Sequence, residues 1–180
     1  MDASNVTLSA EALIKNDRLL LHYEVTNPTN QPIYLVNRVF QWTEQGFLIK
    51  PELIYTELVD NHLKLTKACI EIPDNIDVEA PIVPFLTQVD AGSRFEESFS
   101  LSLPIVPYHP YAVLEKESDS YIFNSFELVI GWLSNEEFSV QKVKDANGNT
   151  QLSGKYTELL KSQHLLKQSF NLQVPAYIKP

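Results

Sequence analysis

The chain has 180 residues, 44% of them hydrophobic and 21% charged, which is enough apolar material for one packed domain and excludes a disordered chain. Its formal charge of −9 opposes a phosphate backbone and an anionic bilayer surface alike, which argues against nucleic acid or membrane as the main partner. A single cysteine, Cys69, excludes an intrachain disulfide framework and fits a reducing compartment.

The opening residues Met1 to Asn5 carry neither a basic nor an apolar signal region, and the longest apolar run, Leu128 to Leu133, is far short of a bilayer span. The expectation is one soluble cytoplasmic domain over residues 1–180. Asn5-Val6-Thr7 matches the glycosylation sequon, which without a secretory signal reads as a chance match.

Taken in order, Val6, Leu8 and Ala10 alternate with polar neighbours and predict an opening strand, with Lys15-Asn16-Asp17-Arg18 as a turn. In the stretch 19–40, Leu19, Leu21, Tyr23 and Val25 fall on one face while His22, Glu24 and Thr26 fall on the other, and a second run begins at Ile33. Between them Asn27, Pro28, Asn30 and Pro32 are turn formers, so the two runs read as the arms of a hairpin that organises an antiparallel sheet. Thr43 to Gly46 is a further turn, and Trp42 and Trp132 both sit in strand-like runs that read as core.

Asp60-Asn61 reads as a two-residue hairpin loop. In the arm after it Leu63 and Leu65 share one parity and Ile70 and Ile72 the other, which predicts a bulge near Lys67-Ala68 or a strand that passes between sheets. Pro84 inside the run 82–89 predicts an edge strand. The run from Arg94 alternates Phe95, Phe99 and Leu101 with serines, and Tyr121 to Leu133 is apolar on both faces near its end, as a central strand would be. Asp145 to Asn149 is the sharpest turn signal, residues 154–163 have helical spacing, and Phe170, Leu172 and Val174 close the chain as a strand.

Many short strands, frequent turns and little helix predict an all-β, antiparallel sandwich of about seven to nine strands with at most one short helix near 154–163. At the level of architecture alone this is similar to an immunoglobulin-like β-sandwich, although the paired cysteines of antibody domains are absent.

No linear motif carries chemistry. His22, His62, His109 and His164 are scattered singly, without the spacing that converges ligands on a metal. Cys69 lies in an apolar strand context, where a free cysteine behaves as a small hydrophobe. There is no Gly-x-Ser-x-Gly elbow and no glycine-rich phosphate loop. No cofactor or metal is expected.

The polar cluster that stands out is Glu71, Asp74, Asp77 and Glu79, bracketed by Pro73 and Pro81, with no glycine to make the sharp turn of a Ca²⁺ loop. Residues 71–137 hold thirteen acidic residues against two basic ones, so the negative charge belongs to the middle of the chain. The proline-rich stretch that follows offers Tyr108, His109 and Tyr111, then the charged Glu115, Glu117 and Asp119. Charge gathered on one face would steer a basic protein, and aromatics on a stiff loop lose little entropy on binding. The expected function is therefore non-enzymatic binding of another, basic protein, with a small acidic inhibitor or immunity-type protein as its concrete form. A carbohydrate-binding sandwich using Trp42, Trp132 or the loop tyrosines is the alternative, and a hydrolase with a site invisible in linear sequence is third.

Overall fold

The computed structural model describes residues 5–111 and 117–179. Its strands are β1 (Thr7–Lys15), β2 (Arg18–Thr26), β3 (Ile33–Arg38), β4 (Phe40–Thr43), β5 (Gly46–Ile49), β6 (Tyr55–Val59), β7 (His62–Lys67), β8 (Phe85–Val89), β9 (Arg94–Ser102), β10 (Tyr121–Phe123), β11 (Phe126–Ser134), β12 (Gln141–Lys144), β13 (Thr150–Ser153), β14 (His164–Phe170) and β15 (Val174–Ala176). One helix, α1 (Tyr156–Ser162), falls where helical spacing predicted it. The fold is all-β, with more strands than expected because long runs are cut into pieces: the run from Tyr121 breaks at Asn124-Ser125 into β10 and β11. Among the described residues no helix is long and apolar enough to cross a membrane.

Two sheets face each other. The smaller has the order β1-β2-β9; the larger runs β12-β13-β8-β3-β11-β7-β6, with β14 also on β11. Alternation dictates what lies between them. Leu19, Leu21, Tyr23, Val25 and Phe99 from the small sheet meet Ile33, Leu35, Leu63, Leu65, Phe126, Leu128 and Ile130 from the large one, all buried in one cluster. Each such aliphatic side chain stabilises the fold by about 1.5–3 kcal/mol relative to exposure. On the other face of the large sheet, α1 buries Leu159 against Tyr34, Val36, Cys69, Leu86 and Leu133.

Two of the hairpins form where two consecutive residues accept positive φ, as a type I′ turn requires. Asn16 and Asp17 (φ 52° and 55°) join β1 to β2, and Asp60 and Asn61 (φ 50° and 62°) join β6 to β7. The segment 27–32 does something else. β2 pairs with β1 and β9 whereas β3 pairs with β8 and β11, so the expected hairpin over 19–40 is a crossover between sheets. The buried side chain of Asn27 replaces the missing ladder. Its Nδ2 donates to the carbonyls of Gln31 (2.8 Å), Val89 (3.1 Å) and Asp90 (3.0 Å), and its Oδ1 accepts from the Thr29 backbone N–H and hydroxyl.

A second departure is at Gly131. One edge of β11 pairs with β14 over residues 126–132; along the other edge, β7 runs parallel to residues 126–130 and β3 antiparallel to residues 132–134. Two strands thus share one edge end to end, and both leave it at Gly131. A Cβ there would lie 2.9 Å from Ala68 Cβ and 3.1 Å from Ala68 Cα, so the close approach requires glycine. Beyond Lys67 the chain peels off in place of a bulge, and Gln163 supplies the lost strand partner: its Nε2 donates to Cys69 O (2.8 Å) and its Oε1 accepts from Cys69 N–H (3.0 Å). The register irregularity lies instead in β3, between Leu35 and Arg38. The wedge opened by the fork is filled by Val39, Tyr55, Ile70 and Tyr111. Pro84 precedes β8, where its missing N–H costs no ladder bond, and β8 is correspondingly an interior strand between β3 and β13 and not an edge.

A polar chain crosses the sandwich interior. Lys67 on β7 has a fully enclosed side chain (0% exposed) that pairs with Glu97 on β9, donates to Pro51 O (2.8 Å) and lies 4.6 Å from the Phe99 ring centroid. Tyr23 donates to Glu97 (2.9 Å), Asn37 Nδ2 donates to the Tyr23 hydroxyl (3.3 Å) and Thr87 donates to Asn37 Oδ1 (2.7 Å). The two sheets are therefore joined by hydrogen bonds as well as by apolar contact.

Burial gives this core a signed pH dependence. It raises the phenol pKa values of Tyr23 and Tyr55 well above the ordinary 10.0 and pushes the Cys69 thiol up to about 12. The unfolded chain gives up these protons first, so the stability they represent is complete below the unfolded values and lost as pH rises from them toward the higher folded values. Lys67 acts in the opposite sense: burial lowers its pKa from 10.5 against the pull of Glu97, so its contribution rises with pH up to that value. Beyond it only the falling contributions remain. The urea midpoint is expected to drop between about pH 10.5 and 12, less steeply in Tyr23→Phe, and a flat midpoint over that window would contradict the burial of these phenols.

Candidate functional site

The loop after β7 carries the acidic cluster. Its apolar residues Ile72, Ile76, Val78 and Ile82 pack onto the wedge cluster, which turns Glu71, Asp74, Asp77 and Glu79 outward, all four exposed. Two tyrosine hydroxyls hold its ends. The Tyr156 hydroxyl accepts from Ile72 N–H (2.9 Å) and donates to Ile70 O (3.1 Å); the Tyr111 hydroxyl accepts from Ile82 N–H (2.8 Å) and donates to Ile82 O (3.3 Å). Between the clamps, Ile76 N–H donates to Pro73 O at 3.0 Å. An irregular segment of this length is fixed by a few bonds to its backbone, and its acids take no part in them.

Four of the other mid-chain acids are engaged by basic partners. Glu96 pairs with Arg94, Glu97 with Lys67, Glu127 with Lys64 and Glu137 with His164, on separate strands and loops. Among the described residues none of Glu71, Asp74, Asp77 and Glu79 is in an ion pair. The middle of the chain therefore does not place all its charge on one face, yet it leaves this loop uncompensated.

The aromatic residues of the next segment face inward. Tyr111 is 7% exposed, and Tyr108 donates its hydroxyl to Phe40 O (2.9 Å) while its carbonyl accepts from Thr56 N–H (2.7 Å). His109 is half-buried; its Nδ1 accepts from Tyr111 N–H (3.1 Å), which leaves the proton of the neutral ring on Nε2, and burial lowers its pKa against the pull of Glu57. The hydroxyl of Tyr55, fully enclosed beside Tyr108, has no hydrogen-bond partner among the described residues. Glu117 is half-buried with its N–H on Tyr177 O (3.2 Å), and Asp119 is exposed. Glu115 lies outside the described residues.

Glu71 and His109 meet at a groove of about 390 Å³ on the outer face of the large sheet. Its floor includes Ala68, Cys69 and Val129, and Glu57, Lys64 and Lys167 line it with them. Both signs of charge are present, Glu57 is engaged by the Thr66 hydroxyl, and Cys69 is a buried, protonated thiol. Among the described residues no group of three or more His, Cys, Asp or Glu could hold a metal ion. His22 is exposed and shares a hydrogen bond with Ser98 (2.8 Å).

The tryptophans part company. Trp132 is core, 3% exposed, but Trp42 is 62% exposed and lies tilted against Phe47 with centroids 4.0 Å apart. Among the described residues the ribbon β4-β5 pairs with no other strand, so its alternation sends one face to solvent without a second sheet to cover it. Comparison with known protein-family models, with curated proteins and with solved structures gives no match. The functional reading rests on these side chains alone.

Proposed function

We propose that the chain is a non-enzymatic domain that binds a basic protein through the loop 71–81, as a small acidic inhibitor or immunity-type protein does when it covers the active site of an enzyme or toxin. The observation that carries this reading is the loop itself. Four exposed carboxyl side chains without ion-pair partners stand on a backbone clamped by Tyr111 and Tyr156, and such a surface pays little ordering entropy on binding. Charge complementarity supplies encounter rate and selectivity against partners of the same sign.

The test is capture from lysate of the source cell by the tagged chain at low and at high salt, beside the variant Asp74→Asn/Asp77→Asn/Glu79→Gln. A single stoichiometric basic protein, retained less at high salt and lost with the variant, is the expected result. Rim charges contribute roughly 0.5–1 kcal/mol each, so the triple variant is expected to weaken binding by about tenfold to a hundredfold. A partner indifferent to the variant, or none at either salt, would overturn the reading.

A further inference from the structure

The outer edge of β9 is open. A two-residue hairpin loop closes on a hydrogen-bonded pair, so Lys15 and Arg18 exchange both backbone bonds, and such pairs alternate along an antiparallel ladder. The odd-numbered residues of β2, Leu19 to Val25, therefore bond across to β9, where the register sets them opposite Leu101 to Phe95. The bonds that flank the strand keep the same parity: Leu103 N–H donates to Asp17 O (2.9 Å) and Asn27 N–H to Ser93 O (2.9 Å). The backbone N–H and C=O groups of Arg94, Glu96, Ser98, Ser100 and Ser102 are left pointing away from β2, and among the described residues no strand takes them up. We propose that β9 pairs antiparallel with β9 of a second copy about a two-fold axis through Ser98, joining two three-stranded sheets into one.

Charge and chain chemistry select this register. Centred on Ser98, the ladder sets Glu96 opposite Ser100 of the second copy. The Arg18 guanidinium lies over the serines at that end of β9: its Nε and Nη2 donate to Ser100 Oγ (2.9 and 2.7 Å) and its Nη1 to Ser102 Oγ (3.2 Å). Each Glu96 carboxylate thus meets the Arg18 of the other copy, twice by symmetry, which is the complementarity a self-pairing edge needs. Arg94, opposite Ser102, is held by Glu24 and Glu96 of its own chain (3.4 and 3.5 Å). On the inner face Phe95 meets Leu101 of the second copy, two half-buried side chains that the pairing covers, and Glu97 is already neutralised by Lys67. Arg18 Nη2 also donates to Ser100 O (3.1 Å), which leaves that carbonyl its second lone pair. Moving the axis to Glu96 sets two carboxylates directly opposite each other, and moving it to Ser100 sets Glu96 against Pro104, which has no N–H.

Other edges of the sandwich are blunted where β9 is not. β12 carries the exposed Lys142 and Lys144, and the N–H of Thr56 on β6 is taken by Tyr108 O. Lysine and proline at an edge deter pairing, and β9 has neither.

The test is sedimentation equilibrium of the purified chain from micromolar to millimolar concentration at low and at moderate salt. The expected result is a reversible monomer–dimer equilibrium that tightens with salt, because two chains of net charge −9 repel each other. That is opposite in sign to the salt response expected for a basic partner on the loop 71–81. Ser98→Pro removes the central donor, which appears twice across the axis, but takes no backbone bond from the monomer; it is expected to weaken the dimer by about tenfold or more. Ser98→Glu, which sets two carboxylates against each other on the axis, is expected to do the same, and it serves if the proline variant does not fold. Ser98→Cys sets two thiols on the axis, with Cα atoms about 5.5 Å apart, within the span a disulfide bridges. It is expected to cross-link under mild oxidation, whereas Glu96→Cys, opposite Ser100, is not; the native Cys69 is buried. A chain that stays monomeric at millimolar concentration, a dimer indifferent to both Ser98→Pro and Ser98→Glu, or equal cross-linking at 96 and 98 would overturn the proposal. The loop 71–81 takes no part in this pairing, so such a failure leaves the protein-binding reading standing.

Discussion

Replacing Glu97 by leucine is expected to lower the unfolding free energy by about 3–5 kcal/mol, read as a drop in the urea midpoint at unchanged slope. The variant would leave the Lys67 ammonium fully enclosed, with Pro51 O as its one hydrogen-bond partner among the described residues and the more distant charge of Glu52, since Glu97 is its paired counter-ion. A buried charge stripped of its partner is far more costly than a pair removed together, because its desolvation is no longer offset. The double variant Lys67→Met/Glu97→Leu is therefore expected to recover most of the loss. Recovery stays incomplete, as Tyr23 and Pro51 O each lose a partner. A double variant as unstable as the sum of the singles would show that the two residues do not act as a pair.

Gly131→Ala is expected to cost about 1–3 kcal/mol, and Gly131→Val more, because the added atoms meet Ala68 Cβ and Cα, which cannot swing aside, and a Gln163 amide held by its bonds to Cys69. The nearest obstacles are Ala68 Cβ at 2.9 Å, Gln163 Oε1 at 3.0 Å and Ala68 Cα at 3.1 Å. Ala68→Gly in the Gly131→Ala background removes the first of these and leaves the third, so partial rescue of the thermal midpoint is expected. Full tolerance of valine at 131 would mean that β3 and β7 do not converge there as described.

Much of the architecture was legible in residue parity. Leu19, Leu21, Tyr23 and Val25 alternate over enough positions to declare a buried face, and Asp60-Asn61 names its own turn. The same parity also carried a signal that the reading passed over. Lys67 continues Leu63 and Leu65, and Glu97 lies between Phe95 and Phe99, so a lysine and a glutamate stood on the inward faces of two strands. Opposite charges at inward positions of separate strands imply a buried pair. What parity cannot show is which strand lies beside which. The crossover 27–32 has the composition of a hairpin turn, and tertiary contacts such as the bonds of Asn27 to Val89 and Asp90 distinguish it. Trp42 belongs to a four-residue strand, too short for alternation to say which face is covered. The acidic loop was visible as composition, but its clamps were not. Tyr111 and Tyr156 reach it across 29 and 84 residues of sequence, and a hydroxyl aimed at a distant backbone leaves no local trace.

The central claim is that a rigid sandwich presents a preformed acidic loop to a basic partner. The measurement that tests it most directly is the dissociation constant of the captured partner for the native chain, the loop variant Asp74→Asn/Asp77→Asn/Glu79→Gln and the core variant Lys67→Met/Glu97→Leu, at one fixed salt concentration. The account predicts that the loop variant binds about tenfold or more weakly and that the core variant, once folded, binds as the native chain does. Undiminished binding by the loop variant would contradict it.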